Sequence, residues 1–313
     1  CALSVTLDEA NTMLIVGAGA VGQVCGWHLH QGGSDVDFLV KPKYEDEVSE
    51  GLALHHLKLV GKTETHEFTD YDVIVDYDEV SEREWEMVWL CVSSTALRGE
   101  WLDDLADRIG DATVVALQPG IEDTEYLAER ISEEQLVSGM IPFIAYQSPL
   151  PDESLPEGVA YFLPPAFPMP FEGVRAVSVV QALERGGLSS TISQNVDGEA
   201  AINSALLIPA VAGLEVEDWD LSAFRKGETI NLTTAATQEA LEISSTHRGV
   251  DVPLTLRTVA KRWPLKVGLG LAGVVMPFDL EKYLAFHFEK TGEQTRQMLR
   301  DWIELAERHD CES

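Results

Sequence analysis

Six consecutive residues, Gly17, Ala18, Gly19, Ala20, Val21 and Gly22, form a GxGxxG directly after a short apolar run at 13–16. Such a turn can hold a pyrophosphate. Gly17 permits a tight turn, Gly19 lets the backbone approach the phosphates, and Gly22 lets a following helix pack on the preceding strand. The N-terminus of that helix offers unpaired N–H groups and a positive dipole end to the anion. The motif alone is common, and its context makes it specific. Residues 20–31 place Val21, Val24, Cys25 and Leu29 on one helical face and stop at Gly32-Gly33, and 36–40 is a second apolar run. The spacing predicts a βαβ unit.

The end of that second strand sets the cofactor. Enzymes that use NAD place a carboxylate there for the ribose 2′-OH, whereas NADP requires a cation for the 2′-phosphate. Here the strand runs into Lys41-Pro42-Lys43, while Asp37 falls early in it. NADP(H) is therefore the expected cofactor, with Lys41 and Lys43 as phosphate ligands. Two more buried strands are expected at 87–92 and 113–117. They end in Ser93-Ser94 and in Gln118-Pro119-Gly120. Ser93, Ser94 and Gln118 thereby join the cofactor-binding candidates.

Together these residues carry a resemblance. An N-terminal GAGAVG, an antiparallel excursion, a strand ending in LQPG at 117–120 and a helical second half opening with AINSALLIP resemble the ketopantoate reductase family. The resemblance implies reduction of a 2-keto acid by NADPH in a cleft between two domains. The family's general acid is a Lys four residues before an Asn. If Asn203 is that Asn, the Lys position holds Glu199, and the family's second Asn falls on Leu207. The Asn of its LQNG motif is Pro119 here, and the Lys that follows the strand at 87–92 is Ser93 or Ser94. Its Ser-Met-x-x-Asp stretch reads Gln297-Met298-Leu299-Arg300-Asp301, and His309 stands near the place of a substrate-binding Glu.

Asn203 and Glu199 are thus the catalytic candidates. Glu199 would suit a cationic or imine-forming substrate, and its alternative reading is a helix N-terminal carboxylate. His287, between Phe286 and Phe288 on an expected helix, is a replacement acid or a structural histidine. Cations able to receive an anionic substrate in the second half are Arg225, Lys226, Arg248, Lys261, Arg262, Lys266, Lys282 and Lys290, most concentrated at Lys261-Arg262 beside Trp263. His28 and His30 are expected on the surface of the first helix. His55 and His56, neighbours on a strand, point to opposite faces and cannot share a metal; no metal site is expected.

The elements required to position these groups fit within 313 residues divided near 196. A Rossmann-type α/β domain is expected over 13–196 and an all-α substrate and dimerisation domain over 197–313. Residues 1–12 precede the first strand and read as a tag, an extension or a misplaced start. The formal net charge of −31 repels phosphate backbones and anionic lipid, so the expected partner is a small molecule such as an organic acid, with neither nucleic acid nor membrane. A homodimer through the helical half is an open expectation. Cys1, Cys25, Cys91 and Cys311 show no paired spacing, which fits a reducing cytoplasm. The two longest apolar stretches, 205–214 and 267–278, are broken by Gly and Pro and are read as buried helices. Three activities stay open: an NADPH-dependent oxidoreductase acting on C=O or C=N, a non-catalytic NADP(H)-binding relative, and an opine-type dehydrogenase joining an amino acid to a keto acid.

Overall fold

The computed structural model of the chain describes residues 11–309; Cys1 and Cys311 lie outside them. Twelve strands and fourteen α-helices follow one another among these residues. The apolar run after Asn11 forms β1 (Thr12–Val16), and the glycine turn leads to α1 (Ala20–Gln31) and β2 (Asp35–Leu39). There follow α2 (Glu45–Ser49), β3 (Leu52–Leu57), β4 (Glu64–Phe68), β5 (Asp72–Ile74), α3 (Tyr77–Val80), β6 (Met87–Leu90), α4 (Ser94–Leu97), α5 (Trp101–Ala106), β7 (Thr113–Ala116), α6 (Asp123–Ala128) and β8 (Leu136–Gly139). Then come β9 (Ile144–Ser148), β10 (Gly158–Phe162), β11 (Met169–Glu172), α7 (Ala176–Arg185) and β12 (Ser190–Ile192).

Eight of the strands form one sheet in the order β12-β11-β8-β7-β6-β1-β2-β5, parallel at every pairing except β11 with β8. The chain runs outward from β1 through β2 to β5, then returns to β6 on the other side of β1. This reversal is the switch point where open α/β sheets bind ligands beyond the carboxyl ends of their strands. The central strands β1, β6 and β7 are apolar and buried throughout, as a sheet covered on both faces requires.

The antiparallel excursion at 52–68 is β3 and β4, turning at Gly61 with φ +109°. It belongs to a second sheet, β4-β3-β10-β9, in which β3 pairs in parallel with β10. The proline-rich stretch at 164–170 is a turn that runs into β11, with Ala166 at φ +65°.

From Val196 onward the described residues are helical: α8 (Val196–Val216), α9 (Leu221–Lys226), α10 (Thr229–Arg248), α11 (Leu254–Val259), α12 (Arg262–Val275), α13 (Leu280–Lys290) and α14 (Gly292–Arg308). The protein is therefore a Rossmann-type α/β half followed by an all-α half. By length and composition α8 is the one described helix able to cross a membrane, and half of that stretch is buried inside the protein. The apolar stretch at 205–214 lies in α8 and is mostly buried. That at 267–278 departs from expectation: Val267, Leu271 and Val275 on α12 are exposed.

His28 also departs from expectation. It is buried, because α1 is covered by the large sheet, by α7 and by the small sheet together. The would-be Cβ of Gly186 lies 1.6 Å from the His28 carbonyl, so α7 and α1 meet backbone to backbone. The His28 Nδ1 bonds the Gly186 carbonyl at 2.8 Å. Its ring meets one side of the Tyr161 ring edge-on, and His56 stacks on Tyr161 with ring centroids 4.7 Å apart. Burial lowers the pKa of His28, and burial with the nearby Lys58 lowers that of His56 to about 4.

Both rings are neutral in the fold but take a proton near pH 6.5 once unfolded. The unfolded state then binds more protons, so their contribution to stability is complete above pH 6.5 and lost as pH falls towards 4. Asp37 and Asp301, whose carboxyls burial pushes up, act with the opposite sign at lower pH. Urea titrations across this window should show the wild-type midpoint falling with pH and a shallower slope in His56→Gln. An identical slope in the variant would refute the assignment.

Candidate dinucleotide site

The glycine turn lies at the switch point, between the carboxyl ends of β1 and β6. Gly17 has φ +100°, and a Cβ there would meet the Cys91 carbonyl at 3.0 Å. A Cβ on Gly22 would lie 2.0 Å from the Gly17 carbonyl, so only hydrogen fits. Gly19 is exposed, with nothing within 4 Å of its Cβ position, which leaves the backbone open to a ligand. Gly19 also caps α1 without a side-chain bond, and the first turn of α1 carries no acidic residue. Ala18, Ala20 and Val21 complete the loop, and the Gln23 amide braces it by donating to the Ala18 carbonyl at 2.9 Å. These features fit a pyrophosphate: free donors, a positive dipole end and no competing carboxylate. Beneath the loop lie the free thiols of Cys25 and Cys91; their mutual hydrogen bond and burial push the Cys91 thiol up.

Lys41 and Lys43 are exposed just past β2, and neither forms an ion pair with a described residue. The Lys43 Nζ lies over the Tyr44 ring at 4.5 Å. Asp37 is committed elsewhere. It is buried, and Arg83 spans it at 2.5 Å and Asp35 as well. One guanidinium thus neutralises two carboxylates at the start of β2, away from its carboxyl end. Arg83 is a residue that sequence reasoning missed.

The Gln118 amide is directed at backbone. It donates to the carbonyls of Leu90 and Val92 at 2.8 and 3.0 Å and accepts from the Leu117 N–H. It ties the ends of β6 and β7 together at the rim of the crevice. Ser93 caps α4, accepting from the Ala96 N–H. Ser94 turns inward, its hydroxyl donating to Asp123 at 2.6 Å.

Asp123 is the hub of a polar cluster that the sequence did not reveal. At 2% exposure it accepts from Ser94, from the Gly120 N–H at 2.8 Å and from Arg98 at 2.5 Å. The Ser94 N–H donates to Gln294 of α14, and Gln297 donates to Asp301 at 2.7 Å, so the helical half closes over this cluster. The only local signal was an acidic residue three positions after Gly120, the pattern of a side chain capping a turn.

Among the catalytic candidates, Asn203 and Glu199 come together and His287 does not join them. Asn203 donates to the Met140 sulfur at 3.2 Å, and Ser204 to the Pro119 carbonyl at 3.2 Å. The first half of α8 therefore lies across the carboxyl ends of β7 and β8, on the edge that carries the glycine turn. Glu199 is exposed and accepts from Ser193 at 2.9 Å. Both residues line a pocket of ≈ 200 Å³ with Asn195, Ile202, Asp251 and Leu256. His287 stacks on Tyr283, and its neighbour Phe288 stacks on Trp219 in the separate core at the far end of α8. Burial, with the nearby Lys290, lowers its pKa. Of the candidate cations, Arg248 binds Glu125 and the Ile121 carbonyl, and Lys282 binds Asp152. Arg225 lies against Gly270 of α12.

A largely parallel sheet with a glycine turn at its switch point, roofed by helices, is the architecture of a Rossmann-type half joined to an all-α half. Residues 13–152 match the family model described as Ketopantoate reductase PanE/ApbA. Among solved structures, the fold is similar over 96% of the chain to the PanE/ApbA family ketopantoate reductase of Ralstonia eutropha JMP134, with TM-score 0.68, 14% identity and 99% of that chain covered. It is likewise similar to D-mandelate dehydrogenase in complex with NADH and anilino(oxo)acetate, with TM-score 0.65, 14% identity, and 96% and 100% of the two chains covered. For the 2-dehydropantoate 2-reductase of Methylococcus capsulatus the values are 0.63 and 14%, with 96% and 92% covered. No curated protein matches the chain.

Two substitutions test this geometry. Gly22→Ala should abolish nucleotide binding, measured by fluorescence titration, because its methyl group cannot coexist with the Gly17 carbonyl. Asp123→Ala strands Arg98 and the Gly120 N–H, and should lower stability by roughly 2–3 kcal/mol in urea unfolding. Wild-type values in either variant would contradict the contacts described.

Proposed function

We propose that the protein is an NADPH-dependent oxidoreductase that reduces a small keto or imino compound bound beneath the first half of α8. The observation that carries this reading is the open N-terminus of α1 at the switch point, flanked by the unpaired Lys41 and Lys43. The three glycines and the α1 N–H groups would hold the pyrophosphate. Lys41 and Lys43 would hold the 2′-phosphate as point charges. Asp37, buried against Arg83, is not available to a ribose hydroxyl. When bound, the nicotinamide supplies a hydride to the substrate carbon. The protein's own part is to orient that carbon, exclude water and provide hydrogen-bond donors. Asn203, whose amide now donates to the Met140 sulfur, would donate to the substrate heteroatom instead.

The pocket favours an imine or amine-bearing substrate over a simple keto acid. Glu199 and Asp251 line it together with two amides, Asn195 and Asn203, and no cation does. A carboxylate ligand would be repelled there, whereas an ammonium group would be held. This favours the opine-type reading among the enzymatic ones. Loss of the family's Lys at Glu199 supports instead a protein that binds NADP(H) without turnover. The family name and the bound anilino(oxo)acetate of the mandelate dehydrogenase support a 2-oxo centre.

Titration with NADPH and NADH tests the cofactor. Wild type should prefer NADPH, and Lys41→Ala should weaken NADPH about ten-fold or more, the loss of one charge-assisted bond, while leaving NADH unchanged. Tight NADH binding indifferent to Lys41 would overturn the assignment. Oxidation of NADPH is then followed with keto acids, each with and without amino acids. Turnover that requires the amine supports the imine reading, amine-independent turnover favours a keto substrate, and binding without turnover identifies the non-catalytic relative.

A further inference from the structure

Arg248, the last residue of α10, is held in two directions. Along the chain it leads into the turn at 249–253, where Gly249 takes φ +63° and ends the helix. That turn is tied back to α10. The Val250 N–H donates to the Ser245 carbonyl at 3.1 Å, and the Ser245 hydroxyl donates to the Val250 carbonyl at 2.5 Å. A Cβ on Gly198 would meet Val250 Cγ1 at 2.7 Å, so the turn also abuts the first turn of α8. Val250, Asp251 and Pro253 thereby form one wall of the pocket that Glu199 and Asn203 line from α8.

Across the seam, the Arg248 side chain grips the Rossmann half. Its guanidinium donates to the Ile121 carbonyl and to both carboxylate oxygens of Glu125 on α6, the second of these at 3.0 Å. The side chain is only 13% exposed, against 54% for Arg308, whose bond to Glu122 crosses the same seam. A charge-assisted fork is most directional and least screened where water is kept from it. The Ile121 side chain is buried among Ala201, Ala205, Leu241 and Val252 of the helical half. Three residues earlier, Gln118 ties the ends of β6 and β7 together at the rim of the crevice. Between them the Pro119 carbonyl accepts from Ser204, the neighbour of Asn203. The stretch 118–121 is thus a short bridge from the crevice rim to the pocket, and Arg248 is fastened to its far end.

We propose that Arg248 is a positioning residue for the transfer step: it locks the turn that carries Asp251 against the backbone at Ile121 and so holds the pocket at one distance from the crevice. The inference rests on the oxidoreductase reading above. Arg248 is not among the residues that line the pocket, so it acts through Asp251 and Asn203. Transfer between two bound groups is sensitive to such a distance, and a displacement of about 1 Å can cost about a hundred-fold in rate. Lysine is no substitute, because a single ammonium lacks the planar fork that serves a carbonyl and a bidentate carboxylate together.

Kinetics and distance measurements on the full chain test the proposal. Arg248→Lys and Arg248→Met should bind NADPH as tightly as wild type and lower kcat by about ten- to a hundred-fold with the keto acids and amino acids above. Arg248→Ala should lose activity likewise and regain part of it with added methylguanidinium, a recovery that a general loss of stability would not allow. Spin labels at the exposed positions 174 and 303 report the separation of the two halves without turnover, in a chain carrying Val174→Cys, Ile303→Cys, Cys1→Ser and Cys311→Ser. The parent chain should give one narrow distance, and Arg248→Met a broader distribution. Wild-type kcat in a folded Arg248→Met, or a distance as narrow as in the parent, would overturn the proposal. A wild type that turns over nothing, with the distance broadened in Arg248→Met, would retain the positioning role and remove the oxidoreductase reading.

Discussion

Gly22 sits so close to the Gly17 carbonyl that a methyl group in place of its hydrogen would lie 2.0 Å from the oxygen. This backbone contact fixes the angle at which α1 leaves β1. The rest of the α/β half follows from that angle. It leaves the N-terminus of α1 uncapped at the edge of the sheet. It also lays the body of α1 across β1 and β2, close enough to α7 that Gly186 touches the His28 carbonyl. Burial of Val24, Cys25, Leu29 and His28 on different sides of one helix is the outcome. The same contact that opens a place for phosphate thus commits a histidine to the interior.

Across the seam between the halves, an apolar core that joins Tyr146 and Phe162 to Leu214 and Phe278 is supplemented by polar contacts. Arg248 reaches Glu125 and the Ile121 carbonyl, Arg308 reaches Glu122, Thr124 donates to Asp197, and Gln294 accepts from Ser94. In a chain with 22 basic and 53 acidic residues, cations are scarce and their placement is informative. Ten of them are tied to carboxylates. Lys41 and Lys43, beside the carboxyl end of β2, are among those without an ion pair to a described residue.

The βαβ unit, the excursion at 52–68 and the change to helices after residue 195 were legible in the sequence because each rests on local periodicity and turn chemistry. Other features depend on what meets across the fold. His28 lies on a helix whose outer face carries no marker of the small sheet that covers it. Strand β11 was hidden by Pro170, which brings no N–H to the ladder, although its carbonyl still accepts from the Met140 N–H just beyond the end of β8. Asp123 and Arg98, 25 residues apart in the chain, become partners only where α4 and α6 converge. Asn203 and Glu199 share a pocket as their spacing on one helix implies, whereas the aromatic neighbours of His287 gave no hint that it belongs to a different core.

The pairing of β3 with β10 has a consequence for how the chain acquires its structure. Leu54 lies beside Val159, roughly a hundred residues later in the chain, and closing so long a loop is entropically slow. Until β10 is synthesised, β3 presents an unpaired edge whose Leu52, Leu54 and Leu57 lack their covering. The segment matched by the family model ends at residue 152, before β10 begins. A fragment cut at that boundary would keep every phosphate-binding glycine yet expose an adhesive strand edge. The unit delimited by resemblance is therefore shorter than the unit able to fold, and expression of the nucleotide-binding half must extend at least through Phe162.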